Sequence, residues 1–170
     1  NVPLHEPLFK GNEKNYLIDT IETNYVSSVG KYVNEFETKL SEYTNSKYAI
    51  ATSSGTAALH SILKVLGVSS KTEVLTQAFT FVATCNAIRY CGGHPVFIDI
   101  EKRTLGLSPI FLEEFLDKNC EVRDDGYCWN KTTNRKVLIC LPMHTYGIPV
   151  NIQEIKNICD RYHINLVEDA

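Results

Sequence analysis

The residue pattern predicts an α/β protein with a mainly parallel sheet, and three observations carry that prediction. From residue 48 onward, short apolar runs alternate with helical stretches, the order expected when each strand feeds a crossover helix. Helix signals sit between the runs: Ser108 with Pro109 and Asn151 open helices, and Gly92 with Gly93 close one. A chain of 170 residues that is 44% apolar can also bury one sizeable core.

Taken in order, residues 1–47 form a helical segment and 48–170 the α/β part. Within the first, 13–22 and 32–43 place apolar residues three and four apart, as Val33, Phe36 and Leu40 do, which is helical spacing. Ser27, Ser28 and Gly30 make the turn between them. Strands are expected at 48–51, 73–76, 95–100, 136–141 and 164–168. Helices are expected at 56–66, where Leu59, Ile62, Leu63 and Leu66 share a face, and at 81–91, 109–118 and 151–162. The polar segment 120–135, which holds the only tryptophan, Trp129, reads as a loop or small hairpin inserted between helix and strand.

Charge and composition exclude several classes. A net charge of -3, spread without any basic block, gives no means of neutralising a phosphate backbone, so nucleic acid is not an expected partner. No run approaches the ~20 apolar residues of a membrane span, and Asn1 to His5 lack a signal-peptide plan; a cytoplasmic protein is expected. The chain begins without methionine, so an upstream or processed start is expected. The six cysteines include no C-x-x-C pair. Cys85, Cys140 and Cys159 read as small buried hydrophobes. Cys120 and Cys128 could meet, but zinc would need further ligands that the spacing does not offer. No metal site is expected, and the sequon at Asn130 has no role in a cytoplasmic protein.

In open α/β sheets, ligands gather beyond the carboxyl ends of the strands, and four such junctions look chemical. Thr52 to Leu59 is a small-residue turn entering a helix, where free amides and the helix dipole suit a phosphate and Gly55 permits close approach. Read alone, such a segment is more often an ordinary turn and cap. Gln77 to Thr84 brings Phe79 and Phe81 to a strand end, where they could face a planar ring or pack in the core. His144 follows another strand as a catalytic group or a structural hydrogen-bonder. Glu168 and Asp169 end the last strand; neighbours on a strand point to opposite faces, so one of them enters the site. A carboxylate there can keep a heterocyclic nitrogen protonated, as an electron-sink cofactor requires.

These motifs, in this order, resemble the DegT/DnrJ/EryC1/StrS sugar aminotransferases, a branch of the fold-type I superfamily of enzymes dependent on pyridoxal 5'-phosphate (PLP). The resemblance runs through PLHEP at 3–7, SSVGKYVNEFE at 27–37, TSSGTAALH at 52–60, QAFTFVATCNAI at 77–88, PVFIDI at 95–100, LPMHTYGIP at 141–149 and VEDA at 167–170. It implies a three-layer PLP-binding large domain, present in truncated form. It implies that Gly55, Thr56 and Ala57 hold the cofactor phosphate, that Phe81 stacks on the ring, and that Asp169 pairs with the ring nitrogen. His144 is implied as a partner of Asp169 near the cofactor, and Ser27, Ser28 and Gly30 as a turn approaching the sugar nucleotide. PLHEP, GNEK at 11–14 and the insert at 128–136 resemble most the enzymes that aminate a UDP-linked 4-keto-6-deoxy-N-acetylhexosamine. L-Glutamate as amino donor, PLP and its amino form PMP as cofactor, and a homodimer follow from the same resemblance.

The departure that matters is the lysine that carries the cofactor in relatives, which follows VEDA at some distance; none of the twelve lysines here has a matching context. In relatives the later sheet strands, among them the partner of the first strand at 48–51, and a C-terminal domain also follow this point, so the 170 residues alone are expected to be inactive and poorly stable. Cooperative unfolding together with measurable transamination by this piece would contradict that expectation. Two other readings remain open at this level: a relative with histidine in place of the lysine, which dehydrates the sugar, and a non-catalytic nucleotide-sugar binding module. A dinucleotide dehydrogenase is disfavoured because the G-x-G-x-x-G fingerprint is absent.

Overall fold

A computed structural model describes residues 6–170, so positions 3–5 of the PLHEP motif lie outside the described residues. The chain divides into two compact units between Thr52 and Ser53.

The first unit holds α1 (Glu13–Glu22) and α2 (Lys31–Thr44). Asp19 of α1 accepts a hydrogen bond from the Tyr32 hydroxyl at 2.8 Å and pairs with Lys31 Nζ at 2.7 Å. The bond from Lys31 holds the Asp19 carboxyl below the usual carboxylate range. α2 closes on Asn45, whose left-handed φ of 52° suits a helix stop. Neither helix buries a residue, and Phe36 on the apolar stripe of α2 stays 54% exposed. The strand expected at 48–51 does not form. A strand needs a ladder partner, and among the described residues this stretch has none; Ala51 N–H is instead taken by Glu37 Oε1 of α2 at 2.8 Å.

The second unit is the α/β part. Its helices are α3 (Gly55–Val65), α4 (Val82–Tyr90), α5 (Pro109–Asn119) and α6 (Ile152–Arg161). Its parallel strands are β1 (Thr72–Gln77), β2 (His94–Ile98), β5 (Lys136–Cys140) and the two-residue β6 (Asn165–Leu166), in the order β2-β1-β5-β6. The insert is the anticipated hairpin: β3 (Cys120–Val122) and β4 (Cys128–Asn130) pair antiparallel, and β4 meets β5 at Trp129–Lys136.

Period-two alternation of side chains gives the sheet two apolar faces. Val74, Ile139 and Leu141 pack with α3 and α4 through Leu59, Leu63, Ala87 and Ile88. Leu75, Val137 and Cys140 pack with α5 and α6 through Leu112, Leu116, Ile155 and Ile158. The result is three layers. A register shift between Glu73 and Val74 lets Leu138 join Ile139 on the first face, an irregularity that alternation alone does not predict.

Both helices of the first face end tightly. Gly92 takes the left-handed φ of +81° that closes α4, and a Cβ on Gly93 would sit 2.5 Å from Val68 Cγ1 and 3.2 Å from the Ile88 carbonyl oxygen. Gly93→Ala is expected to destabilise the fold by about 1–3 kcal/mol through overpacking. The measurement is the urea midpoint, which an unaffected helix junction would leave where it was.

Five of the six cysteines are buried and Cys85 is partly so, all as free thiols. Cys120 and Cys128 do meet: the hydrogen bond between them, reinforced by burial, pushes the Cys120 thiol up. Cys159 and burial do the same to Cys140. Asn130 is 6% exposed and fully engaged, donating to Glu73 Oε2 at 2.9 Å and accepting from the Thr132 and Thr133 amides.

Candidate active site

Because β1, β5 and β6 run parallel, the residues that follow them emerge on one edge of the sheet. α3 and α4 both run back across the sheet and end together, with Val68 and Ile88 against Gly93. Their starts therefore share that carboxyl edge. In this way residues far apart in sequence come together: the Phe79–Phe81 turn, the 141–144 segment and Asp169 touch one another, and the start of α3 lies on the same sheet edge.

At the start of α3, Ser54 is extended and its hydroxyl accepts the Ala57 N–H at 3.2 Å, while its carbonyl accepts Ala58 N–H at 3.0 Å. The Ala57 amide, expected to bind phosphate, is thus engaged in the cap. Among the described residues the Gly55 and Thr56 amides have no partner, as first-turn amides generally lack one within their helix. A Cβ on Gly55 would touch nothing within 4 Å, so the approach to these amides is open.

Phe81 stands immediately before α4 in an extended conformation and is 70% exposed. Its N–H points to Met143 Sδ at 3.4 Å. Phe79, Thr80, Phe81, Met143, Thr145 and Tyr146 line a cleft of about 280 Å³. Tyr146 edges onto Phe79 with ring centroids 6.1 Å apart, and holds a left-handed φ of 54° to do so.

Asp169 is fixed at both levels. Its main chain continues the parallel ladder beside Met143, with Asp169 N–H to the Pro142 carbonyl at 3.0 Å and His144 N–H to the Asp169 carbonyl at 2.9 Å. Its half-buried carboxylate lies at the start of α4, where Oδ2 accepts the Thr84 hydroxyl at 2.6 Å, and the positive end of a helix favours a negative charge. Glu168 points the other way, to His144 Nε2 at 3.0 Å. His144 Nδ1 accepts the Val150 N–H at 3.2 Å, so Nε2 carries the ring proton and donates it to Glu168. The expected partnership of His144 with Asp169 is therefore made by main chain; the contact to the carboxylate is made by Thr84.

Ser27, Ser28 and Gly30 lie in the first unit, between α1 and α2. Ser27 Oγ accepts the Val29 N–H at 3.2 Å, and Ser27 and Gly30 border a small hollow of about 130 Å³ with Tyr25 and Lys31.

The match to the DegT/DnrJ/EryC1/StrS aminotransferase family covers residues 7–170. The chain belongs to that family. It is 36% identical over 169 residues to the GDP-perosamine synthase of Vibrio cholerae, covering 99% of this chain and 41% of that protein. It is 33% identical over 142 residues to the UDP-2-acetamido-2-deoxy-3-oxo-D-glucuronate aminotransferase of Pseudomonas aeruginosa, covering 84% of this chain and 35% of that one. Among solved structures it resembles NtdA of Bacillus subtilis with bound PMP, with a TM-score of 0.74 and 31% identity over 92% of this chain and 32% of that one. The chain thus spans well under half the length of these relatives. Its sheet and layers are those of a truncated fold-type I large domain. Among the described residues, no helix is long and apolar enough to cross a membrane, and no cluster of histidine, cysteine or carboxylate could hold a metal ion.

Two residues of this family member's site escaped reading by sequence. Gln77 is wholly buried, and its side chain pairs both main-chain groups of Met143: Nε2 to the carbonyl at 2.7 Å, and Oε1 from the N–H at 3.0 Å. Thr84 is likewise wholly buried. For Thr84 the available signal was a polar residue in an apolar context, on the same helix stripe as Ala87 and Ile88, whereas Gln77 ends a strand, TEVLTQ, whose other polar residues hide it.

Proposed function

We propose that the protein carrying this chain is a PLP-dependent aminotransferase that moves an amino group from L-glutamate to the 4-keto carbon of a UDP-linked 6-deoxy-N-acetylhexosamine. One observation carries the reading: free helix-start amides, an exposed aromatic ring and a hydrogen-bonded carboxylate share one sheet edge. Those are the three functions that a phosphorylated pyridine ring asks of a protein. The PMP bound in the Bacillus subtilis relative agrees with this assignment. The relatives' names include both GDP- and UDP-linked compounds, so the choice of UDP rests on the motifs at 3–7, 11–14 and 128–136.

In this reading the Gly55 and Thr56 amides, with the Thr56 hydroxyl, hold the phosphate at the positive end of α3. Phe81 covers one face of the ring and excludes water from it. Asp169 holds a proton at the ring nitrogen, and the His144–Glu168 pair braces the strand end that presents it. When bound, the cofactor supplies an electron sink for the pair released as a C–H bond beside nitrogen breaks. Ser27, Ser28 and Gly30 contact the sugar nucleotide, and the full protein works as a homodimer in the cytoplasm.

The test is a coupled assay of the protein expressed from its full coding sequence, with L-glutamate and the UDP-4-keto sugar. Formation of 2-oxoglutarate and an amino sugar is expected. Failure to bind PLP or PMP at all would remove the reading, whereas activity only on a GDP-linked keto sugar would correct the substrate and leave the chemistry. Phe81→Ala is expected to weaken PMP binding about tenfold, the size of a lost aromatic stack with its burial; equilibrium dialysis would measure it.

A further inference from the structure

We infer that Thr84, fed by Thr80, is a positioning residue that occupies Oδ2 of Asp169 and leaves Oδ1 as the oxygen offered to the cofactor's ring nitrogen. The inference rests on the cofactor assignment above and adds to it a proton direction read from hydroxyl geometry.

Each threonine hydroxyl has a single proton to donate. Thr84 Oγ1 lies 2.6 Å from Asp169 Oδ2, and an ionised carboxylate only accepts, so the Thr84 proton points to Asp169. The same oxygen lies 2.8 Å from Thr80 Oγ1. Having committed its proton, Thr84 must accept there, which makes Thr80 the donor. Thr80 Oγ1 is also 3.3 Å from Met143 Sδ, but thioether sulfur is the weaker acceptor, and that sulfur already faces the Phe81 N–H at 3.4 Å. The hydroxyl protons therefore run one way: Thr80 to Thr84 to Asp169.

One consequence follows for the acid. A carboxylate with one oxygen engaged at 2.6 Å cannot rotate freely to present either oxygen, so Oδ1, which has no partner among the described residues, has a fixed direction. Thr84 is wholly buried, so no water substitutes for its hydroxyl.

The experiment compares Thr84→Val, which keeps the shape and removes the donor, with Thr84→Ser, which keeps the donor, and with Thr80→Val, all in the protein expressed from its full coding sequence. The probe is pyridoxamine 5'-phosphate. The readouts are its dissociation constant, the circular dichroism of the bound ring, and the urea midpoint of the unliganded protein. Thr84→Val is expected to weaken binding about tenfold, the scale of a lost bond to a charged group, and to change the dichroic band. Thr84→Ser is expected to bring the constant back to within about threefold, and Thr80→Val to weaken it about threefold with little change in urea midpoint. Unchanged affinity and dichroism in both valine variants would overturn the inference while leaving the cofactor assignment intact. If Thr84→Val fails to fold, an unchanged Thr80→Val overturns it alone. If the unsubstituted protein does not bind the probe, the cofactor assignment fails and this inference with it.

Discussion

Replacing Asp169 with alanine is expected to weaken PLP and PMP binding about a hundredfold or more and to abolish amine transfer. The carboxylate lies at the start of α4, and its removal would leave the Thr84 hydroxyl, and in the proposed site a protonated ring nitrogen, without an acceptor. Losing the charge-assisted bond to the ring nitrogen costs up to about 3 kcal/mol, which is about two decades in the binding constant. Asp169→Asn separates charge from shape: the amide oxygen can still accept from Thr84, but it cannot hold a cationic nitrogen, so binding should recover partly and turnover should not. Spectrophotometric titration with PLP and a single-turnover assay with L-glutamate measure the two effects. A variant that binds PLP as the parent does would contradict the site as drawn.

The largest effect on stability is expected from Gln77→Leu. Gln77 imitates a neighbouring strand, pairing both main-chain groups of Met143 and approaching Thr145 Oγ1 at 3.4 Å, in a position with no exposure. Leucine fills a similar volume and strands the Met143 N–H and carbonyl away from water. Two unsatisfied backbone groups cost about 1–3 kcal/mol each, of which the added apolar burial returns a part, so a net loss of about 3 kcal/mol in chemical denaturation is expected. Binding of PMP should weaken as well, because Met143 lies beside Asp169 in the ladder and receives the Phe81 N–H. Gln77→Glu is the sharper comparison. Its carboxylate can accept from the Met143 N–H but cannot donate to the carbonyl, so it should fall between the parent and leucine. A denaturation midpoint that does not move in Gln77→Leu would show that the segment is held by other means.

The helices of this protein were legible in the sequence to within a residue or two, because each advertises itself locally. Ser108 and Pro109 open α5 with the cap that their order implies, and Gly92 closes α4 in the left-handed conformation. The four strands of the parallel sheet were legible as apolar runs, although β6 is two residues long where five were expected. The run at 48–51 was misjudged for a reason that lies outside it. A strand is a relation between two segments, and among the described residues this one finds no partner, so its apolar residues Tyr48 and Ile50 remain exposed. The family of the chain was legible too, since its motifs keep their order along 7–170.

The sequence by itself determined which chemical groups this protein brings to its sheet edge: a small-residue helix start, an aromatic before α4 and an acid after β6. Composition, capping and period are local properties, written into consecutive residues. Only the tertiary structure decided how those groups are held. That Thr84 rather than His144 meets the Asp169 carboxylate, and that His144 turns to Glu168, are outcomes of packing between segments up to 85 residues apart. A hydroxyl proton has one acceptor, and which acceptor lies within reach is set by how the layers close, a distance that no run of neighbouring residues encodes.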